Sequence, residues 1–145
     1  MKILIDADGC PVVKIAIEVA KEYRVEVLVV KNYSHEIEDT YATIITVDNS
    51  SDSADYYIVN KAGKGDIVVT QDYGLCGMAL AKGAICINQN GLIISDKNIE
   101  ELLSRRHINR EIRRKEGKYT KFKKRSNDDN VKFRNKFRAL VEELH

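Results

Sequence analysis

A chain of 145 residues, 43% of them hydrophobic, is sized for one domain that buries its own core without metal or disulfide staples. Its formal net charge of +2 divides unevenly, with 15 Lys and Arg against 6 Asp and Glu from Ser104 onward and 9 against 16 before it. No apolar run approaches the roughly 20 residues that span a bilayer, and no basic stretch followed by a long apolar one opens the sequence, so a cytoplasmic protein is expected.

The first element is Ile3-Leu4-Ile5, a β-favouring apolar run that ends in Asp6-Ala7-Asp8-Gly9-Cys10-Pro11. Residues two apart on an extended chain point the same way, so Asp6 and Asp8 are placed to present their oxygens together at a sheet rim as a cation site. The alternative is an Asp8-Gly9 turn with Asp6 satisfying nearby backbone N–H groups. Val12, Ile15, Ala16, Val19 and Ala20 keep helical spacing and predict a crossover helix over 12–23. A buried strand over 25–30, a polar loop over 31–41 and a third strand over 42–47 follow, the last ending at Asp48.

The helix expected over 52–62 buries Ile58, Val59 and Ala62, and stepping back by turns places Asp55 and then Asp52 on the same stripe. Asp52 also reads as a helix cap. Asp55 is harder to read as purely structural, because an interior-facing acid is costly without a cation or several donors. Gly65-Asp66-Ile67-Val68-Val69-Thr70-Gln71-Asp72 repeats the pattern of the first strand, with a central strand over 67–70 and Asp72 on the same rim. Thr70 is placed to orient Asp72 or a water, or serves only as a strand former. A helix over 75–82, a strand over 83–88 and an edge hairpin over 92–94 complete the sheet.

From Lys97, the spacing of Ile99, Leu102, Leu103, Ile108 and Ile112 predicts a long helix that Gly117 stops, with Arg105, Arg106, Arg110, Arg113 and Arg114 on its exposed sides. Residues 118–125 interleave Tyr119 and Phe122 with Lys121, Lys123, Lys124 and Arg125. That composition reads first as a mobile loop and alternatively as a nucleic-acid contact. Phe133, Phe137, Leu140, Val141 and Leu144 step by three and four, so the last helix folds back onto the domain.

A parallel sheet flanked by helices brings Asp6, Asp8 and Asp72 to one edge, and the helix carrying Asp52 and Asp55 enters from it. Carboxylates without histidine or cysteine partners suit Mg²⁺ or Mn²⁺, and phosphodiester hydrolysis is the natural reaction. The acidic body with a basic C-terminal arm suits an enzyme on a polyanion such as RNA, or else is a self-compensating surface.

Asp6-Ala7-Asp8-Gly9-Cys10-Pro11, Asp52-Ser53-Ala54-Asp55-Tyr56-Tyr57-Ile58-Val59 and Gly65 to Asp72 together resemble the YaiI/YqxD-type bacterial proteins, grouped with PIN-like domains. The resemblance also takes in Ala81-Lys82-Gly83-Ala84, Asn98-Ile99 and the helix from Phe133 to Leu140. It implies one PIN-like α/β domain over 1–145, a three-layer, Rossmann-like parallel sheet over 1–103 with basic helices over 104–145. It further implies a metal-dependent ribonuclease site with Asp6, Asp55 and Asp72 on the metal-carrying positions, while Asp8 and Asp52 belong to this family's own motif. The stretch after Gly117 departs from the family pattern, lacking a proline and being Lys-rich.

Two rival readings stand beside the nuclease. One is a haloacid-dehalogenase-type phosphatase with Asp6 as nucleophile, although Gly65-Asp66 precedes its strand instead of following it. The other is an RNA- or metal-binding module without turnover. Cys10, Cys76 and Cys86 have no Cys-x-x-Cys spacing and read as reduced thiols, with Cys10 a small buried residue. His35, His107 and His145 suggest no ligand set.

Overall fold

The computed structural model describes residues 1–33, 36–50, 52–116 and 124–145, and within α4 nothing is said of the Arg113 and Glu116 side chains. The apolar run at the start forms β1 (Lys2–Asp6), whose Ile3, Leu4 and Ile5 are fully buried. A strand buried on both faces belongs in a sheet's middle. It pairs in parallel with β2 (Glu26–Asn32) on one side and with β4 (Ile67–Val69) on the other. β3 (Thr43–Val47) extends the first side, β5 (Ile85–Ile87) the second, and β6 (Ile93–Ile94) closes it as an antiparallel edge. The order is β3-β2-β1-β4-β5-β6.

Helices cover both faces, because alternate residues of each buried strand need apolar cover on opposite sides. On one face α1 (Val13–Glu22) and α5 (Asn127–Leu144) pack over Ile3, Ile5, Val27, Val29, Ile67 and Val69. On the other, α2 (Ser53–Lys61), α3 (Tyr73–Ala81) and the start of α4 (Ile99–Glu116) pack over Leu4, Leu28, Val68 and Cys86. This is a mixed α/β fold of three layers, consistent with the PIN-like, Rossmann-like arrangement implied above.

The C-terminal helix docks as its spacing predicts: Phe133 and Phe137 are fully buried and stacked, with ring centroids 5.3 Å apart. Ser126 and Asp129 start it with a reciprocal capping box, and Arg134 and Arg138 reach Glu18 and Glu22 on α1. Leu144 departs from its expected stripe, standing 36% exposed at the fraying end. The greater departure is in α4. Ile99 and Leu102 meet the core, but Leu103, Ile108 and Ile112 are exposed, because the helix runs on beyond the sheet that its first turn packs against. Gly117, the expected stop, lies outside the described residues.

The strands run slightly differently from expectation. β2 continues through Lys31 and Asn32 because β3 supplies partners for both. β4 ends at Val69, so Thr70 lies just past it, its N–H still donating to the Ile87 carbonyl at 3.1 Å. Among the described residues no helix is long and apolar enough to cross a membrane.

Candidate active site

Chain order runs from β1 outward to β2 and β3, then returns to β4 on β1's other side, so the strand order reverses between β1 and β4. In open α/β sheets ligands bind at the carboxyl ends of the strands flanking such a switch point. Asp6 ends β1, and Thr70 and Asp72 follow β4. A cleft of about 420 Å³ opens there, lined among others by Asp6, Asp8, Thr70, Asp72, Arg106 and Arg110.

Thr70 is the organising group. Fully desolvated but for 2% of its surface, its hydroxyl donates to Asp6 Oδ2 at 2.8 Å and accepts from the Asp72 N–H at 3.0 Å. Asp72 in turn caps α3, its Oδ1 accepting from the N–H groups of Gly74 at 2.9 Å and Leu75 at 3.2 Å. Asp8 Oδ1 accepts from the Asn32 N–H at 3.4 Å, which ties the β1 exit to the end of β2.

Asp55, half-buried in the first turn of α2, meets the other two acids. Its carboxyl is pushed up to about 6 by burial, then by the charges of Asp72 and Asp6, by a side-chain hydrogen bond with Asp72 and by the charge of Asp52. Burial likewise raises Asp6, with the Thr70 hydroxyl offsetting part of the rise and Asp8 and Asp72 adding to it. Among the described residues none of Asp6, Asp55 and Asp72 stands in an ion pair.

The five expected aspartates therefore gather unequally. Asp6, Asp55 and Asp72 act on one another, Asp8 lies exposed on the cleft wall, and Asp52 is exposed and adds its charge to Asp55. Among the described residues no three His, Cys, Asp or Glu form a group able to hold a metal ion unaided. A hydrated Mg²⁺ does not need one, since it keeps several waters and binds through one or two carboxylates with substrate phosphate completing the shell. The donor set is all oxygen, and a cation would offset the mutual repulsion of these carboxylates. On that chemistry the residues fit Mg²⁺ or Mn²⁺.

The cap reading of Asp52 is corrected: it begins α2 without a side-chain cap bond. Asp48 instead closes the turn ahead of α2, accepting from the Ser50 N–H at 3.0 Å and from the hydroxyls of Ser50 and Ser53, which hold its carboxyl down to about 2. Asp66 lies at the opposite edge of the sheet, bonded to the Lys2 ammonium at 2.6 Å and to the N–H groups of Lys2 and Gly63. It is thus unavailable as one of the further acids that a phosphatase built on Asp6 would take from a later strand.

The cationic residues also divide. Arg106 and Arg110 line the cleft; Arg106 donates to the Gln71 carbonyl at 3.2 Å and lies 5.8 Å from the Tyr73 ring centroid. Arg105 pairs with Glu101, and Arg114 stands 4.0 Å from Glu111. The Arg113 side chain, Lys121 and Lys123 lie outside the described residues, and Lys124 is exposed. Arg125, half-buried, bonds Asn130, Asn90 and the Gln89 carbonyl at 2.8, 3.3 and 2.9 Å. It fastens the start of α5 to the turn after β5. Neither His107 nor His145 lines the cleft, and Cys10, half-buried on its wall, has its thiol raised by burial. One lining residue escaped the sequence reading: Gln89, whose Oε1 is buried without a hydrogen-bond partner. The rim argument that found Asp72 after β4 finds Gln89 when carried one strand further.

A family model described as "Uncharacterized BCR, YaiI/YqxD family" matches residues 4–143. The chain is 56% identical over 133 residues to a UPF0178 protein of Alkaliphilus oremlandii, covering 92% of this chain and 86% of that protein. It is 49% identical over 144 residues to one of Natranaerobius thermophilus, covering 99% and 98%, and 44% identical over 143 residues to one of Exiguobacterium sibiricum, again covering 99% and 98%. No solved structure matches.

Proposed function

The chain belongs to the YaiI/YqxD family, and from that premise and its aspartate rim we propose that it is a divalent-metal-dependent nuclease that hydrolyses phosphodiester bonds in RNA. The observation that carries this reading is the pairing of Asp6 and Asp72 across the switch point, both lining one cleft and joined through the Thr70 hydroxyl, with Asp55 near enough for their charges to raise its carboxyl and, among the described residues, no ion pair to any of the three. Asp6, Asp55 and Asp72 would hold Mg²⁺ or Mn²⁺, with Asp8 and Asp52 adding negative charge around them. When bound, such an ion polarises a phosphoryl oxygen and makes hydroxide available from water.

The chain's own residues supply the rest. Thr70 Oγ1 locks one oxygen of Asp6 and the backbone at Asp72, so that two carboxylates are oriented before substrate arrives. Arg106 and Arg110 offer guanidinium donors to the non-bridging phosphate oxygens across the same cleft. Asp55, protonated up to about pH 6, holds a proton that must leave before the rim carries its full charge.

The test is incubation of end-labelled single-stranded RNA with the full chain in Mn²⁺ or in EDTA. Cleavage is expected only with the metal, reduced roughly 100-fold or more in Asp6→Asn and Asp72→Asn. Asparagine caps helices as well as aspartate does, so Asp72→Asn keeps α3 in place. A second reading, an RNA-binding module without turnover, draws on the observation that no three described acids close into a metal-holding group. Undiminished RNA binding with no cleavage by the parent protein would select it.

A further inference from the structure

A second cleft of about 680 Å³ adjoins the carboxylate cleft and shares Gln71, Arg106 and Arg110 with it. Its lining differs in kind. Arg105, Arg106 and Arg110 stand on α4 with no carboxylate among the lining residues, and Tyr73, Asn88 and Asn109 supply a ring and amides. Asn88 is itself held rigid: 5% exposed, its Oδ1 accepts from the N–H groups of Asn90 and Leu92 at 2.9 and 3.0 Å, while its Nδ2 donates to the Tyr73 hydroxyl at 3.4 Å. The ring is thereby fixed at its far end, with the Arg106 guanidinium over it.

We infer that this second cleft is a nucleotide subsite that receives one unpaired base and its phosphate from single-stranded RNA, next to the phosphodiester held in the carboxylate cleft. The inference rests on the nuclease reading for its neighbour but not for its own chemistry. An aromatic ring stacks any base, the exposed Asn109 amide can hydrogen-bond a base edge, and arginines take the phosphate. The cleft has the size of a small-ligand pocket. A base locked in a duplex cannot reach the ring, so the occupant is single-stranded. Displacement of Arg106 from the ring by the base would free its guanidinium for the phosphate at the junction of the two clefts.

The experiment is fluorescence anisotropy of a labelled RNA oligonucleotide with the full chain in EDTA, where turnover plays no part. Tyr73→Leu keeps apolar volume against the core but removes the stacking face, and Asn109→Asp puts a negative charge into the cleft from an exposed helix position. Each is expected to weaken single-strand binding about 10-fold, the weight of one base–aromatic contact, with unchanged circular dichroism. An RNA duplex of the same sequence should bind the parent and Tyr73→Leu alike. Affinity for the single strand within twofold of the parent in both variants would overturn the subsite, as would an equal loss for duplex. Cleavage without such a loss would leave the nuclease standing and remove the subsite; such a loss without any cleavage would do the reverse.

Discussion

Asp55 shows how one carboxyl carries both a cost and a use. Its folded form keeps a proton to about pH 6, whereas the unfolded chain releases it near 3.8. The folded state therefore binds more protons between those values, and metal-free stability falls as pH rises through that window. Asp55→Asn removes the charge that causes the loss. The variant is expected to be more stable than the parent at about pH 8 by on the order of 1 kcal/mol once solvent screening is allowed for, with the gap closing near pH 4. Urea unfolding at the two pH values measures it, and a gap independent of pH would contradict the assignment. This residue was legible because it lies one turn from Ile58 and Val59 on a helix with little else to bury. The turn that Asp48 closes ahead of α2 was not legible, because its hydroxyl partners lie across a stretch of no fixed period.

At the level of elements, the period-2 and period-3.6 patterns carried the strands and helices, and the switch point followed from their order. Periodicity reports that a helix has an apolar stripe but not how far the opposing surface extends. That is why Ile108 and Ile112 of α4 were expected inside and stand 54% and 46% exposed. The docking of α5 likewise depends on something the Asn90-Gly91 turn signal does not announce: how closely the Lys136 side chain of the helix approaches that turn. Gly91 has φ +84°, and a Cβ there would lie 2.9 Å from Lys136 Cγ and 3.0 Å from its Cβ. Gly91→Ala is expected to cost about 2 kcal/mol, combining a left-handed backbone with a side-chain collision. Gly9→Ala, at φ +69° with nothing within 4 Å, should cost only the backbone share of about 1 kcal/mol. Urea midpoints with unchanged slopes would separate the two; equal losses would show that the α5 contact contributes nothing.

Across the whole molecule, the two charge classes that the sequence keeps apart meet at one place. The body before Ser104 supplies the aspartates, and α4 returns Arg106 and Arg110 from the basic end to the same cleft. The sequence made the acidic rim legible from strand order alone, but which of five arginines face it depends on the direction in which α4 leaves the sheet. That opposition of charge suits a cleft shared by a cation and a polyanion, so the central claim is that Asp55 and Asp72, whose mutual repulsion raises the Asp55 carboxyl, hold a divalent ion between them. The direct measurement is titration of the full-length protein with Mn²⁺, following free ion by electron paramagnetic resonance at about pH 5 and about pH 7. Saturable binding that strengthens with pH, and weakens roughly tenfold or more in Asp55→Asn and Asp72→Asn, is the expected result. Uptake that is indifferent to pH and to both substitutions would contradict it.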